Sequence, residues 1–75
     1  MLKFKASKDQ ENLYIIYRGF FPFKLEKIGS AFIVPNSSYN ISSSENINSR
    51  ELTRIQKRCR KLANIEGKSV HTEIL

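Results

Sequence analysis

The strongest constraint on the fold of this chain lies in residues 49–68, where basic and apolar residues recur at helical spacing. At about 100° per residue, the basic residues lie within roughly 60° of one another, and the apolar residues fill an arc of roughly 100° on the opposite side. The basic set is Arg50, Arg54, Lys57 and Lys61, and the apolar set is Leu52, Ile55, Cys59, Leu62 and Ala63. An amphipathic helix over residues 49–66 is therefore predicted, with its apolar side buried.

The start of this helix is marked by several local signals. Asn48 can cap the first turn, and Glu51 occupies the third helical position, where a capping box requires a carboxylate or amide side chain. Ile47 and Leu52 have the spacing of a hydrophobic staple. Two residues near the other end can take the left-handed conformation that closes a helix, Asn64 and Gly67.

The first half of the chain, residues 1–35, is rich in strand signals. Residues 2–6 alternate apolar and polar side chains, and residues 13–20 are apolar on both sides, with Tyr14 and Tyr17 on opposite faces. The segment Gly19–Pro22 is expected to bend the chain, residues 23–28 can be a short strand or a loop, and residues 31–34 predict another strand. Alternation in the tail, residues 68–75, predicts an edge strand.

Residues 36–48 are rich in Asn and Ser and carry a single charge, Glu45. They are expected to form a polar loop, in which Tyr39 and Ile41 can serve as anchors. Together these signals predict a single α+β domain over residues 1–75. A small antiparallel sheet of three or four strands packs against one long amphipathic basic helix through Leu52, Ile55, Cys59 and Leu62.

The positive charge of the chain is concentrated in the helix. The formal net charge is +6, and residues 49–68 hold seven Lys or Arg against two Glu. A polyanion, DNA or RNA, is the natural partner of such a surface. The expected phosphate-binding residues are Arg50, Arg54, Lys57, Arg58, Arg60 and Lys61. Arg50, Arg54 and Gln56 are candidates for contacts with base edges, and the surface can extend through Lys3, Lys5, Lys8, Arg18, Lys24 and Lys27. The alternative is that the basic residues form only a hydrated helix face on a basic protein and bind no partner.

Residues 21–35, FPFKLEKIGSAFIVP, followed by a basic helix and a G-K-x-x-x-T segment at 67–72, resemble a pattern in small bacteriophage proteins of uncharacterised function. The pattern reads F-P-F-x-x-(L/M)-x-x-G-x-(S/A)-F-x-V-P. The matching residues are Phe21, Pro22, Phe23, Gly29, Ala31, Phe32, Val34 and Pro35, with Leu25 one position before the L/M of the pattern, then Arg54, Ile55, Gly67, Lys68 and Thr72. The chain departs from it at Ser30, where an acid is usual, and at Glu73, where an Arg is usual. The resemblance implies a phage-encoded protein with a sheet and a helix, and no particular activity.

Catalysis is not expected. His71 is the only histidine, Cys59 lies in the apolar arc of the helix, and the acids show no catalytic spacing. Neither a metal-ligand cluster nor a phosphate-binding Gly-rich loop is visible, so no cofactor and no metal are expected. The helix lacks Trp and Phe anchors, so no membrane association is expected, and the chain is predicted to be cytoplasmic, in the host cell if it is viral.

A second reading of the sequence is a protein–protein interface. Small phage proteins can bind and inhibit a host enzyme such as a polymerase, nuclease or replication factor, and a basic helix suits an acidic host protein. Three aromatic residues are candidates for that contact, Tyr14, Phe20 and Phe21. A homodimer, which would double the basic surface and cover an edge strand, is also favoured over a monomer. The first reading, a non-enzymatic and regulatory nucleic-acid-binding protein, is preferred.

Overall fold

A computed structural model describes residues 2–20, 24–43, 47–66 and 72–74 of the 75-residue chain. The elements in chain order are β1 (Leu2–Ala6), β2 (Leu13–Phe20), β3 (Lys24–Val34), β4 (Ser38–Ser43), α1 (Ser49–Leu62) and β5 (Thr72–Ile74). Strands β1 to β4 form an antiparallel sheet in sequence order, and α1 packs on one of its faces. The predicted α+β class is confirmed. The short β5 adds a fifth strand, parallel to β4, at the edge of the sheet.

The hydrophobic core lies between α1 and one face of the sheet. Cross-strand pairing places Ala31 opposite Ile41 and Ile33 opposite Tyr39, and all four side chains are buried. Since side chains alternate along a strand, the opposite face of the sheet carries the intervening residues. The buried cluster consists of Ile16, Ile28, Ala31, Ile33, Tyr39, Ile41, Ile55, Cys59, Ala63 and Ile65.

An irregularity in β3 explains two consecutive buried residues. Ile16 pairs with Gly29 and Tyr17 pairs with Lys27, so Ile28 is an extra residue between them. Such a β-bulge turns an additional side chain towards the core and increases the local twist. Strand β3 begins at Lys24, so residues 24–28, for which a short strand and a loop were both possible, form part of a strand. Residue 23 lies outside the described residues.

Strand β4 corrects the prediction of a polar loop over residues 36–48. Tyr39 and Ile41 have no exposed surface, and the polar residues between and beside them are partly or fully exposed. The two large side chains are enough to hold the strand because β3 supplies both a hydrogen-bonding partner and apolar neighbours. β3 and β4 are joined by a tight turn in which Asn36 has a φ of 61° and Ser37 N–H donates to the Val34 carbonyl, 3.0 Å away.

The helix α1 begins where the sequence predicts and ends earlier. Its cap residue Asn48 accepts a hydrogen bond from Glu51 N–H at 2.9 Å, and Glu51 accepts one from Asn48 N–H at 3.2 Å, which confirms the capping box. The expected end at residue 66 is wrong, because Asn64 has a φ of 58° and terminates the helix. The Asn64 and Ile65 amides then donate to the carbonyls of Lys61 and Arg60, at 3.1 and 3.0 Å. Gly67, the other predicted closing residue, lies outside the described ranges.

Candidate nucleic-acid interface

The outer face of α1 carries the basic residues that the sequence analysis selected. The helix is held on the sheet through Ile55 and Cys59, both fully buried, with Leu52 and Leu62 packed beside them. At helical spacing, the side opposite these residues points to solvent. All six expected phosphate-binding residues are exposed: Arg50, Arg54, Lys57, Arg58, Arg60 and Lys61.

Four of these residues converge on one shallow depression of about 220 Å³. Its lining consists of Arg54, Lys57, Arg58 and Lys61, which stand three and four positions apart along the helix. None of its described lining residues is acidic, and no carboxylate in the described ranges forms an ion pair with any of the four. Four cations on one exposed surface repel one another, and an anion placed among them would relieve that repulsion.

The two flanks of this surface differ in charge. Arg60 and Lys57 line a second depression of about 380 Å³ together with Thr53, Gln56 and Glu66. Glu66 therefore lowers the positive potential on that side. Gln56, a candidate for base contacts, is half-buried there and does not lie among the four converging cations.

On the other flank, Arg54 and Arg58 also line a groove of about 580 Å³ between α1 and β1. The remaining lining residues are Leu2, Lys3 and Phe4. The Arg58 guanidinium carbon lies 5.9 Å from the centre of the Phe4 ring, within the range of a cation–π contact. Sequence reasoning did not find this groove, because it joins residues from opposite ends of the chain and no local pattern reports such a contact.

Arg18 was expected to extend the phosphate-binding surface from the sheet, and the structure corrects this prediction. Its guanidinium forms two hydrogen bonds with Glu51, so its charge is neutralised within the fold. Lys3 borders the groove beside α1, whereas neither that groove nor the depressions beside α1 include Lys5, Lys8, Lys24 or Lys27. Those four lysines are exposed.

The predicted protein-contact residues are only partly described. Tyr14 is half-buried, packs against the core and lies 6.5 Å from Phe4, ring centre to ring centre. It lies on the helix side of β2, opposite Ala31, and its role as a partner contact stays a prediction. Phe20 ends β2, with a side chain outside the description, and Phe21 lies outside the described residues. Tyr17 lies on the open face, as the alternation predicted.

Cys59 is a structural residue. Its side chain is fully buried, and burial raises the pKa of the thiol from 9.0 to about 12. A thiol that stays protonated is a poor nucleophile. Within the described ranges, no group of His, Cys, Asp and Glu has the arrangement of a metal site, and no helix is long and apolar enough to cross a membrane.

Comparisons with known proteins add no relative. No protein-family model matches the chain, no curated protein matches its sequence, and no solved structure matches its fold. The fold and the basic surface therefore carry the functional argument, and the resemblance to small bacteriophage proteins stays a prediction.

Proposed function

We propose that this protein is a non-enzymatic nucleic-acid-binding protein that contacts phosphates with the outer face of α1. The observation that supports this proposal is the convergence of Arg54, Lys57, Arg58 and Lys61 on one depression, with no acidic residue among its described lining. From residue 50 to residue 61 the basic face extends over about 16 Å, which is long enough to follow several phosphates.

The acidic residue nearest to this face along the chain does not weaken it. Glu51 follows Arg50 in sequence, but it points to the sheet and pairs with Arg18. The positive field is therefore concentrated on the outer side of the helix. Phosphate contacts made by such a face give affinity and orientation but little sequence discrimination. Arg50 and Arg54 are the better candidates for base contacts, since Gln56 is half-buried.

A regulatory role in a phage-encoded protein belongs to the same proposal. Its support is the resemblance of residues 21–35 to small bacteriophage proteins and the small size of the domain. A homodimer is also proposed, because β1 lies at an edge of the sheet and pairs there with β2 alone among the described strands. Analytical ultracentrifugation tests the dimer independently of binding.

The proposal is tested by fluorescence anisotropy with labelled duplex DNA, single-stranded DNA and RNA at several salt concentrations. The test variant is Arg54→Glu/Lys57→Glu/Lys61→Glu. A matched control, Lys5→Glu/Lys8→Glu/Lys24→Glu, changes the net charge by the same amount with exposed lysines that lie away from the helix. Circular dichroism establishes that both variants are folded.

We expect the wild-type protein to bind, with an affinity that falls by about 0.9 log unit per phosphate contact for each log unit of salt on duplex DNA. The helix variant should lose binding, and the control should retain most of it. Equal losses in both variants would mean that net charge alone attracts the polymer. An absence of binding by the wild-type protein at low salt would reject the proposal.

The alternative function, inhibition of a host enzyme through a protein–protein interface, has one structural observation in its favour. The face of the sheet opposite α1 is covered by no described element and carries half-buried apolar residues, including Ile15, Tyr17 and Phe32. Apolar interfaces depend little on salt, whereas phosphate contacts depend on it strongly. The salt series above therefore separates the two functions once a protein target is in hand.

A further inference from the structure

We infer that the ligand of this surface is single-stranded nucleic acid, and that one of its bases enters the groove between β1 and α1. This inference rests on the proposed function and names its substrate class. The groove is lined by Leu2, Lys3, Phe4, Arg54 and Arg58 and has a volume of about 580 Å³. It combines an aromatic ring, an aliphatic side chain and two guanidinium groups, which is the chemistry that stacks and neutralises an unpaired nucleotide.

The groove is continuous with the phosphate-binding surface. Arg54 and Arg58 line both the groove and the depression that they share with Lys57 and Lys61. A single strand can therefore place its phosphates along the outer face of α1 and turn one base over the edge of the helix. The two arginines contact the strand from both sides of that turn.

The position over Phe4 is suited to a flat, electron-poor group. The ring is half-buried, contacts Tyr14 on its inner side and has Arg58 above it at 5.9 Å. Bases stack on aromatic rings and on guanidinium planes, and either partner can serve here. A duplex keeps its bases stacked inside the helix and cannot use the groove, so the apolar lining discriminates between the two forms.

An acidic peptide is the competing occupant. It would form ion pairs with the arginines, but its repeating residue has no flat group to stack on the Phe4 ring. In addition, the cations of the shallow depression lie along the helix rather than along the β1 edge. The groove therefore favours the polymer whose repeating unit contains both an anion and a flat ring.

The test compares a single-stranded DNA oligomer, the same sequence as RNA and a hairpin duplex, by anisotropy at one low salt concentration. Phe4→Leu keeps an apolar side chain against the core and removes the aromatic face. Phe32→Leu, which makes the same change on the open face of the sheet, is its matched control. Arg58→Lys keeps the charge and removes the guanidinium plane; duplex binding by the same variant is its control, and the position is exposed, so folding is not at risk.

We expect the wild-type protein to bind the single strands at least tenfold more tightly than the duplex. Phe4→Leu and Arg58→Lys should each weaken single-strand binding by about fivefold or more, the lower range for one base–aromatic stack, and leave duplex binding within about twofold. Comparison of the affinities for the single-stranded DNA and the RNA of the same sequence shows which sugar is preferred. The control variant Phe32→Leu should bind as the wild-type protein does.

Three results would overturn the inference. These are equal affinity for single strands and duplex, equal effects of Phe4→Leu and Phe32→Leu, or competition by poly-glutamate as strong as by unlabelled single strand. If binding is lost in the Arg54→Glu/Lys57→Glu/Lys61→Glu variant but is unchanged in Phe4→Leu and Arg58→Lys, the inference fails and the proposed function stands. If the wild-type protein binds no nucleic acid, both fail.

Discussion

Arg18 on β2 and Glu51 in the first turn of α1 form a two-point ion pair, with Nε 2.6 Å from Oε2 and Nη2 2.8 Å from Oε1. The same Oε1 accepts the N–H of the helix cap Asn48 at 3.2 Å. One carboxylate thus completes the helix cap and attaches the helix to the sheet. It also keeps the acid of the first turn away from the outer face, so Glu51 does not lower the positive potential there.

This pair predicts an acid-dependent contribution to stability. The hydrogen bonds from Arg18, together with the Asn48 N–H, hold the pKa of Glu51 below its ordinary value of 4.5, although partial burial opposes the shift. The unfolded chain takes up the proton first as the pH falls, so the contribution is complete above about pH 4.5 and is lost as the pH falls through the lower, folded-state pKa. The difference in unfolding free energy between wild type and Glu51→Gln should shrink as the pH falls below about 4.5.

Urea unfolding followed by circular dichroism measures that difference. Glu26→Gln is the control, because Glu26 lies 3.9 Å from Arg18 and its side chain is 66% exposed. Its effect should be small, as is usual for exposed ion pairs. A wild-type advantage over Glu51→Gln that does not change with pH would show that the carboxylate is not stabilised in its charged form.

Cys59 is predicted to be unreactive in the folded protein. Burial raises the pKa of its thiol to about 12, and its side chain has no exposed surface. Ellman's reagent at about pH 8 should therefore react at a rate set by unfolding, and immediately in denaturant. Cys59→Ser, which buries a hydroxyl in the same place, should lower the unfolding free energy by roughly 1–3 kcal/mol. Fast labelling of the folded protein would contradict the burial.

The inward side of α1 and its cap could be predicted from the sequence because their signals are local. The spacing of Ile55 and Cys59, and the three-residue separation of Asn48 and Glu51, depend only on helix geometry. The exposure of the six basic residues follows from the same periodicity. Strand β2 could be predicted equally well, because the alternation that separates Tyr14 from Tyr17 is a property of any strand.

The features that sequence reasoning missed depend on contacts between distant segments. Nothing near Arg18 indicates that its partner is Glu51, and nothing near Phe4 places Arg58 over its ring. Strand β4 was missed because Ser and Asn surround its two large side chains, and their burial depends on pairing with β3. The position of Tyr14 on the helix side of β2 could not be predicted for a related reason, because a strand pattern separates two faces without showing which of them the helix covers.

Gly19 is predicted to be required by its backbone conformation. Its φ is 149°, and a Cβ built at this position would collide with the carbonyl oxygen of Lys24. Gly19→Ala should therefore lower the unfolding free energy by roughly 1–3 kcal/mol, through strain in β2 and β3. Gly29→Ala, whose Cβ would lie 2.6 Å from the Ser42 carbonyl oxygen without the unusual φ, should cost less. Thermal unfolding of both variants gives the order, and the reverse order would contradict this account.

Asn64 is predicted to be replaceable by glycine and not by alanine. It closes α1 with a φ of 58°, and its Nδ2 donates to Asn36 Oδ1 at 3.2 Å. A left-handed alanine costs roughly 1–2 kcal/mol, whereas glycine adopts this conformation freely and loses only the exposed side-chain hydrogen bond. Urea unfolding should show Asn64→Ala clearly destabilised and Asn64→Gly close to wild type. Equal effects would mean that the side-chain bond, and not the backbone conformation, is important.

The folded protein is predicted to be more stable with phenylalanine in place of Tyr39. Its side chain is fully buried in β4, and its hydroxyl has no hydrogen-bond partner among the described residues. Burying an unpaired hydroxyl is unfavourable, so Tyr39→Phe should raise the unfolding free energy by up to about 1 kcal/mol, which corresponds to roughly 4–8 °C in melting temperature for a domain of this size. Tyr39→Leu, which leaves a cavity where the ring packs against Ile33 and its neighbours, should instead lose roughly 2–4 kcal/mol. Thermal and urea unfolding of the pair separates the two contributions, since the first variant changes the hydroxyl alone. A marked loss of stability in Tyr39→Phe would show that the hydroxyl is hydrogen-bonded after all, and that β4 is held by a polar contact in addition to its apolar packing.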